Sequence, residues 1–175
     1  MSLEGNVERG GDYRFGAAAL FLAAVSILIA LGFQYIGGYV PCMLCLMERY
    51  AYYVGIPVLF IALALTSGGY RGTAAVLFFL VALAFLANAG LGIYHAGAEW
   101  KFWPGPATCG GGESLATSAG SLLNDIQGIK VMKCDEASFR FLGISFAGWN
   151  VVSSLLVMAL ALRAAFTAAA RRNSP

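Results

Sequence analysis

Residues 15–33 read FGAAALFLAAVSILIALGF, and this uncharged run decides the fold. A helix needs roughly 20 consecutive apolar residues to cross a hydrocarbon core, and the run supplies nearly all of them. It is longer than the apolar core of a cleavable signal peptide, so it reads as a first transmembrane helix that stays in place, over residues 15–35. The composition agrees: 59% of the 175 residues are hydrophobic, 11% are charged and the mean hydropathy is +0.74. A water-soluble domain of this size could not cover that much apolar surface. The net charge of +2 gives no argument for nucleic acid or for an acidic partner.

Working outward, residues 1–14 form a polar tail holding Glu4, Glu8, Arg9, Asp12 and Arg14. Residues 36–41 are a short loop punctuated by Gly37, Gly38 and Pro41. A second span follows over 42–65, with Pro57 inside it as an expected kink. The turn 66–73 contains Ser67, Gly68, Gly69 and Arg71, and the third span occupies 74–94. The long segment 95–148 is too polar to cross a bilayer, and a fourth span at 149–166 opens on Trp149 and leads to the tail 167–175. The expected fold is therefore an all-α membrane protein, a four-transmembrane-helix bundle with a short first and a long second loop on one face.

Arginine placement orients it. Arg9, Arg14, Arg71, Arg163, Arg171 and Arg172 lie in or near the two tails and the 66–73 turn, so these segments are expected to face the cytoplasm. Lys101, Lys130, Lys133 and Arg140 of the long loop are diluted and matched by acids. Both termini then lie inside and all four cysteines outside, where disulfides persist. Within the loop, Leu115, Ala119, Leu122, Leu123 and Ile126 recur at helical spacing, which suits a short amphipathic helix on the membrane surface or packed against the loop.

Residues 41–49, PCMLCLMER, carry the chemistry. Cys42 and Cys45 sit at a helix start, where the dipole stabilises a thiolate and favours thiol–disulfide exchange. The same spacing also permits a static disulfide, or half of a zinc site completed by Cys109 and Cys134. Cys109 and Cys134 can staple the long loop or exchange with the first pair. Arg49 follows Cys45 by one helical turn; it can snorkel to headgroups, paired with Glu48, or stabilise an anion on a thiol or a bound acceptor. His95, the single histidine, is either an interface residue or part of that site. Asn88 reads as a hydrogen bond between helices, and Tyr94, Trp100, Trp103 and Trp149 as an interfacial aromatic belt.

The run at 41–49, the four spans, Tyr94-His95 and the cysteine-bearing loop together resemble the bacterial disulfide bond formation protein B (DsbB) family. That resemblance implies an enzyme of the bacterial inner membrane that reoxidises a periplasmic thioredoxin-fold protein of the DsbA type and reduces a membrane quinone, ubiquinone or menaquinone. It implies that Cys109 accepts the partner's thiolate and that electrons pass from Cys109 and Cys134 to Cys42 and Cys45, through a transient Cys42–Cys134 bridge. Cys45 would donate to the quinone, with Arg49 and His95 at the quinone site. The vitamin K epoxide reductase family is a neighbouring possibility, but there the close cysteine pair typically follows the loop pair; a non-enzymatic membrane protein with structural cysteines is another.

Overall fold

The computed structural model describes residues 10–104, 130–131 and 140–172. Four long helices dominate: α1 (Gly11–Tyr35), α2 (Met43–Ser67), α3 (Arg71–Glu99) and α4 (Phe146–Arg172). With 25, 25, 29 and 27 residues they are each long enough for a hydrocarbon core of about 30 Å, at about 1.5 Å per residue. All four are also apolar enough to cross a membrane. Contacts run α1–α2, α2–α3, α3–α4 and α4–α1, with little across the α2–α4 diagonal, so the helices form a closed ring.

The turns follow from local chemistry. Past Ser67, Gly69 adopts φ +86°, and the Tyr70 amide reaches back to the Leu65 carbonyl, which ends α2 and starts α3 within a few residues. α2 stays helical through Pro57. Four two-residue strands complete the described structure: β1 (Tyr39–Val40) pairs in parallel with β2 (Lys130–Val131), and β3 (Arg140–Phe141) pairs antiparallel with β4 (Ile144–Ser145). In the β3–β4 hairpin Leu142 and Gly143 both have positive φ, 53° and 80°, the backbone a tight two-residue turn requires.

Small residues let the helices approach. Ala19, Ala23, Ala62, Ala74, Ala161 and Ala164 are fully buried in one cluster with Leu59, Phe78, Phe85 and Val157. Phe21, Leu28, Val54, Phe60, Leu80, Leu86 and Phe166 point outward, as a lipid-facing surface demands. Polar bonds tie the helices inside the ring: Asn88 Nδ2 donates to Ser154 Oγ at 2.9 Å, the interhelical bond expected of Asn88. The Tyr52 hydroxyl donates to Asn150 Oδ1 at 2.8 Å. At the end away from Cys42 and Cys45, Asp12 is fully buried and meets Arg171 Nη1 at 2.5 Å and Arg71 Nε at 3.6 Å. One carboxylate thus joins α1, α3 and α4.

The helices extend beyond the hydropathy boundaries. α3 continues past residue 94 to Glu99, and α4 begins at Phe146 rather than 149, so His95 belongs to a helix and not to the second loop. Helical hydrogen bonding does not stop where apolarity stops, because an interfacial turn satisfies its backbone as well as a buried one does. Cys109, Cys134 and the expected amphipathic helix around Leu115–Ile126 lie outside the described residues.

Candidate functional site, a dithiol at the end of the bundle

Pro41 and the paired strand β1 deliver the chain to the start of α2 in an extended conformation, and Cys42 caps that helix with φ −72° and ψ 170°. Its sulfur accepts the Cys45 amide at 3.4 Å, one of the orphan donors every helix start presents. The Cys42 and Cys45 sulfurs are 3.3 Å apart, both as free thiols, with Cys42 buried and Cys45 half-buried. Closing them into a disulfide needs only about 1.3 Å of approach, given an S–S bond of about 2.0 Å.

α3 supplies the next layer. His95 Nε2 lies 3.8 Å from Cys42 Sγ, and Nδ1 lies 2.9 Å from Glu48 Oε1. A carboxylate oxygen can only accept, so the bond assigns the proton to Nδ1. Glu99, one turn further along α3, brings Oε1 to 4.0 Å from Nε2. The imidazole and the Glu48 and Glu99 side chains are 3%, 8% and 6% exposed, so this charged cluster is almost wholly shielded. The Cys45 thiol beside it pushes the Cys42 pKa well below the ordinary thiol range, with His95 and the Cys45 amide adding to the effect against the opposing cost of burial.

Arg49 turns the other way. It is nearly buried, its Nη1 donates to Gln34 Oε1 and its Nη2 to the Ala30 carbonyl at 3.4 Å, both on α1. The paired reading of Arg49 with Glu48 does not hold, because adjacent helical residues project about 100° apart and cannot share a partner face. Glu48 serves α3 and Arg49 serves α1.

Of the residues singled out from sequence, the structure brings together Cys42, Cys45 and His95, with Arg49 one turn deeper on α2. Glu48, Glu99 and Gln34 were missed as members of this site. Each carried a signal, an ionisable or amide side chain at the end of an apolar segment, where such a group must find a partner.

A ring of four membrane-crossing helices with an apposed dithiol at one end defines a polytopic membrane protein suited to thiol–disulfide exchange. The chain belongs to the disulfide bond formation protein DsbB family, whose model matches residues 13–164. It is similar to the disulfide bond formation protein B of Aromatoleum aromaticum (strain DSM 19018 / LMG 30748 / EbN1), at 30% identity over 159 residues covering 86% of this chain and 93% of that one. No solved structure gives a significant match.

Proposed function

We propose that this protein reoxidises a periplasmic DsbA-like thioredoxin-fold protein and passes the electrons through Cys109 and Cys134, then Cys42 and Cys45, to ubiquinone or menaquinone in the inner membrane. The cysteines lie at the periplasmic face and both termini in the cytoplasm. The observation that carries this reading is the 3.3 Å separation of two free thiols at a helix start, with His95 against Cys42.

In the reduction half, Cys109 takes the partner's thiolate as a mixed disulfide and the partner's second thiol resolves it, leaving the partner oxidised and Cys109 and Cys134 as thiols. Exchange with the Cys42–Cys45 disulfide then restores the loop pair and reduces the helix pair, so no electron is lost or gained. Support for a Cys42–Cys134 encounter comes from the parallel pairing of Val40 with Val131. Cys42 follows the first by two residues and Cys134 follows the second by three, and an extended chain covers at most about 3.5 Å per residue. That length of chain is short enough to let the two thiols meet.

The residues around Cys45 fit a lipid-soluble acceptor. Arg49 offers a guanidinium one turn below the thiol, while Leu46, Met47 and Tyr50 on the same helix are exposed to the lipid-facing side. A cationic donor beside a thiol and an apolar face suits a molecule with a carbonyl and a hydrophobic body. A bound quinone would accept two electrons and two protons there. Cys45 is the donor thiol, Arg49 steadies negative charge, and His95 with Glu48 holds the Cys42 thiolate.

Adding a soluble quinone to the reduced, detergent-solubilised protein tests the reading. Prompt loss of free thiols in pairs is expected in the unsubstituted protein and no loss in Cys45→Ser. Unchanged thiols in the unsubstituted protein would remove quinone reduction from its function.

A further inference from the structure

Cys42 Sγ, Cys45 Sγ and a ring nitrogen of His95 lie within 4.8 Å of one another. We propose that the reduced dithiol is also a Zn²⁺ site, with Cys42, Cys45 and His95 Nε2 as ligands, and that the metal and the Cys42–Cys45 disulfide exclude each other.

The geometry is close to what the ion requires. Tetrahedral zinc with Zn–S of about 2.3 Å and Zn–N of about 2.0 Å needs ligand–ligand separations of roughly 3.5 to 3.8 Å. The sulfurs are 3.3 Å apart and Nε2 is 3.8 Å from Cys42 Sγ, so a few tenths of an ångström of movement completes these edges. His95 is oriented for the role, because Glu48 holds Nδ1 at 2.9 Å and turns Nε2 towards Cys42 Sγ. A carboxylate on the far nitrogen is the arrangement that fixes the tautomer of metal-binding histidines.

A second observation points to a ligand independently of the thiols. Glu99 Oε2 is buried with no hydrogen-bond partner among the described residues, although the side chain is only 6% exposed. Its other oxygen is 4.0 Å from Nε2, the ring nitrogen that also faces Cys42 Sγ. Two thiolates neutralise the cation, which suits a shielded site.

Binding replaces the proton on the Cys45 thiol, and any proton on Nε2, with two Zn–S bonds and one Zn–N bond, and releases those protons with no change of oxidation state. A disulfide has no thiolate to offer, so only the reduced centre takes the metal. Zinc then holds the dithiol out of exchange, a reversible block on electron flow. This site needs only reduced thiols, which can be set chemically, and it stands whether or not quinone is the acceptor.

The test uses the full chain without a histidine tag, in detergent, with Cys109→Ser and Cys134→Ser so that the loop thiols cannot contribute. Zn²⁺ is titrated against a chromophoric chelator. One ion per reduced chain is expected and none after the Cys42–Cys45 disulfide is closed. Affinity should fall at least tenfold in His95→Gln and about tenfold in Glu48→Gln, and it should persist in His95→Cys, which restores a ligand. Because the protein has one histidine, diethyl pyrocarbonate reports on His95 alone, and bound Zn²⁺ should protect it without any substitution at that position. Absence of binding in the reduced chain, equal binding after oxidation, or a His95 that reacts equally fast with and without Zn²⁺ overturns the proposal.

Discussion

Cys42 joins two roles in one side chain, since its sulfur closes the N-terminus of α2 and faces both the Cys45 thiol and His95. The thiolate is the conjugate base, so a pKa lowered from 9.0 to about 4 leaves it charged and nucleophilic across the neutral range. Alkylation of the reduced protein by iodoacetamide, followed at Cys42 by mass spectrometry, should therefore stay fast as pH falls and decline only towards about pH 4. A decline centred near pH 8 to 9 would show that the neighbours do not hold the thiolate. Arg49 spends two of its donors on Gln34 and the Ala30 carbonyl, a fork that the shorter, singly pointing imidazole cannot reproduce. Arg49→His should raise the apparent KM for quinone about tenfold, a loss of about 1.4 kcal/mol, with kcat less affected. Unaltered kinetics would leave Arg49 as a tie between α1 and α2. The residue types were legible in sequence, but their partners were not: Glu48 and Arg49 are neighbours in the chain and serve opposite sides of α2.

At the scale of elements, α1 and α2 depend on glycines that admit aromatic rings. A Cβ at Gly55 would stand 2.6 Å from the Phe85 ring, and one at Gly16 would stand 2.7 Å from the Phe78 ring. Both rings are fully buried, so neither can swing out to make room. Gly55→Ala should lower stability by about 1 to 3 kcal/mol despite the better helix propensity of alanine, measured by thermal unfolding in detergent. A stabilised variant would mean that α2 and α3 separate freely at this level. Hydropathy located all four helices and missed the last turn of α3, because His95 and Glu99 are polar by composition and helical by hydrogen bonding. That turn is what carries the imidazole to the dithiol.

The whole molecule is fastened differently at its two ends. At the end opposite the dithiol, buried Asp12 gathers Arg71 and Arg171, and removing the acid strands two cations whose side chains are 35% and 28% exposed. Asp12→Ala should cost about 2 to 3 kcal/mol, less than a fully buried pair because water reaches both arginines, while reoxidation of the reduced dithiol by quinone keeps its rate. A lost rate with intact helical content would show that the two ends of the bundle are coupled. At the dithiol end the parallel pairing of β1 with β2 ties the first loop to the second, a contact between segments about 90 residues apart that no local pattern announces. The sequence by itself determined the four spans, the turns between them and the cysteine pair, because apolar run length and glycine placement act locally. It also carried the family resemblance, through the run at 41–49. Only the tertiary structure decided that His95 faces Cys42, that Glu48 backs His95 and that Arg49 turns to α1, because those choices depend on how helices rotate against one another, and rotation is set by packing across the whole ring.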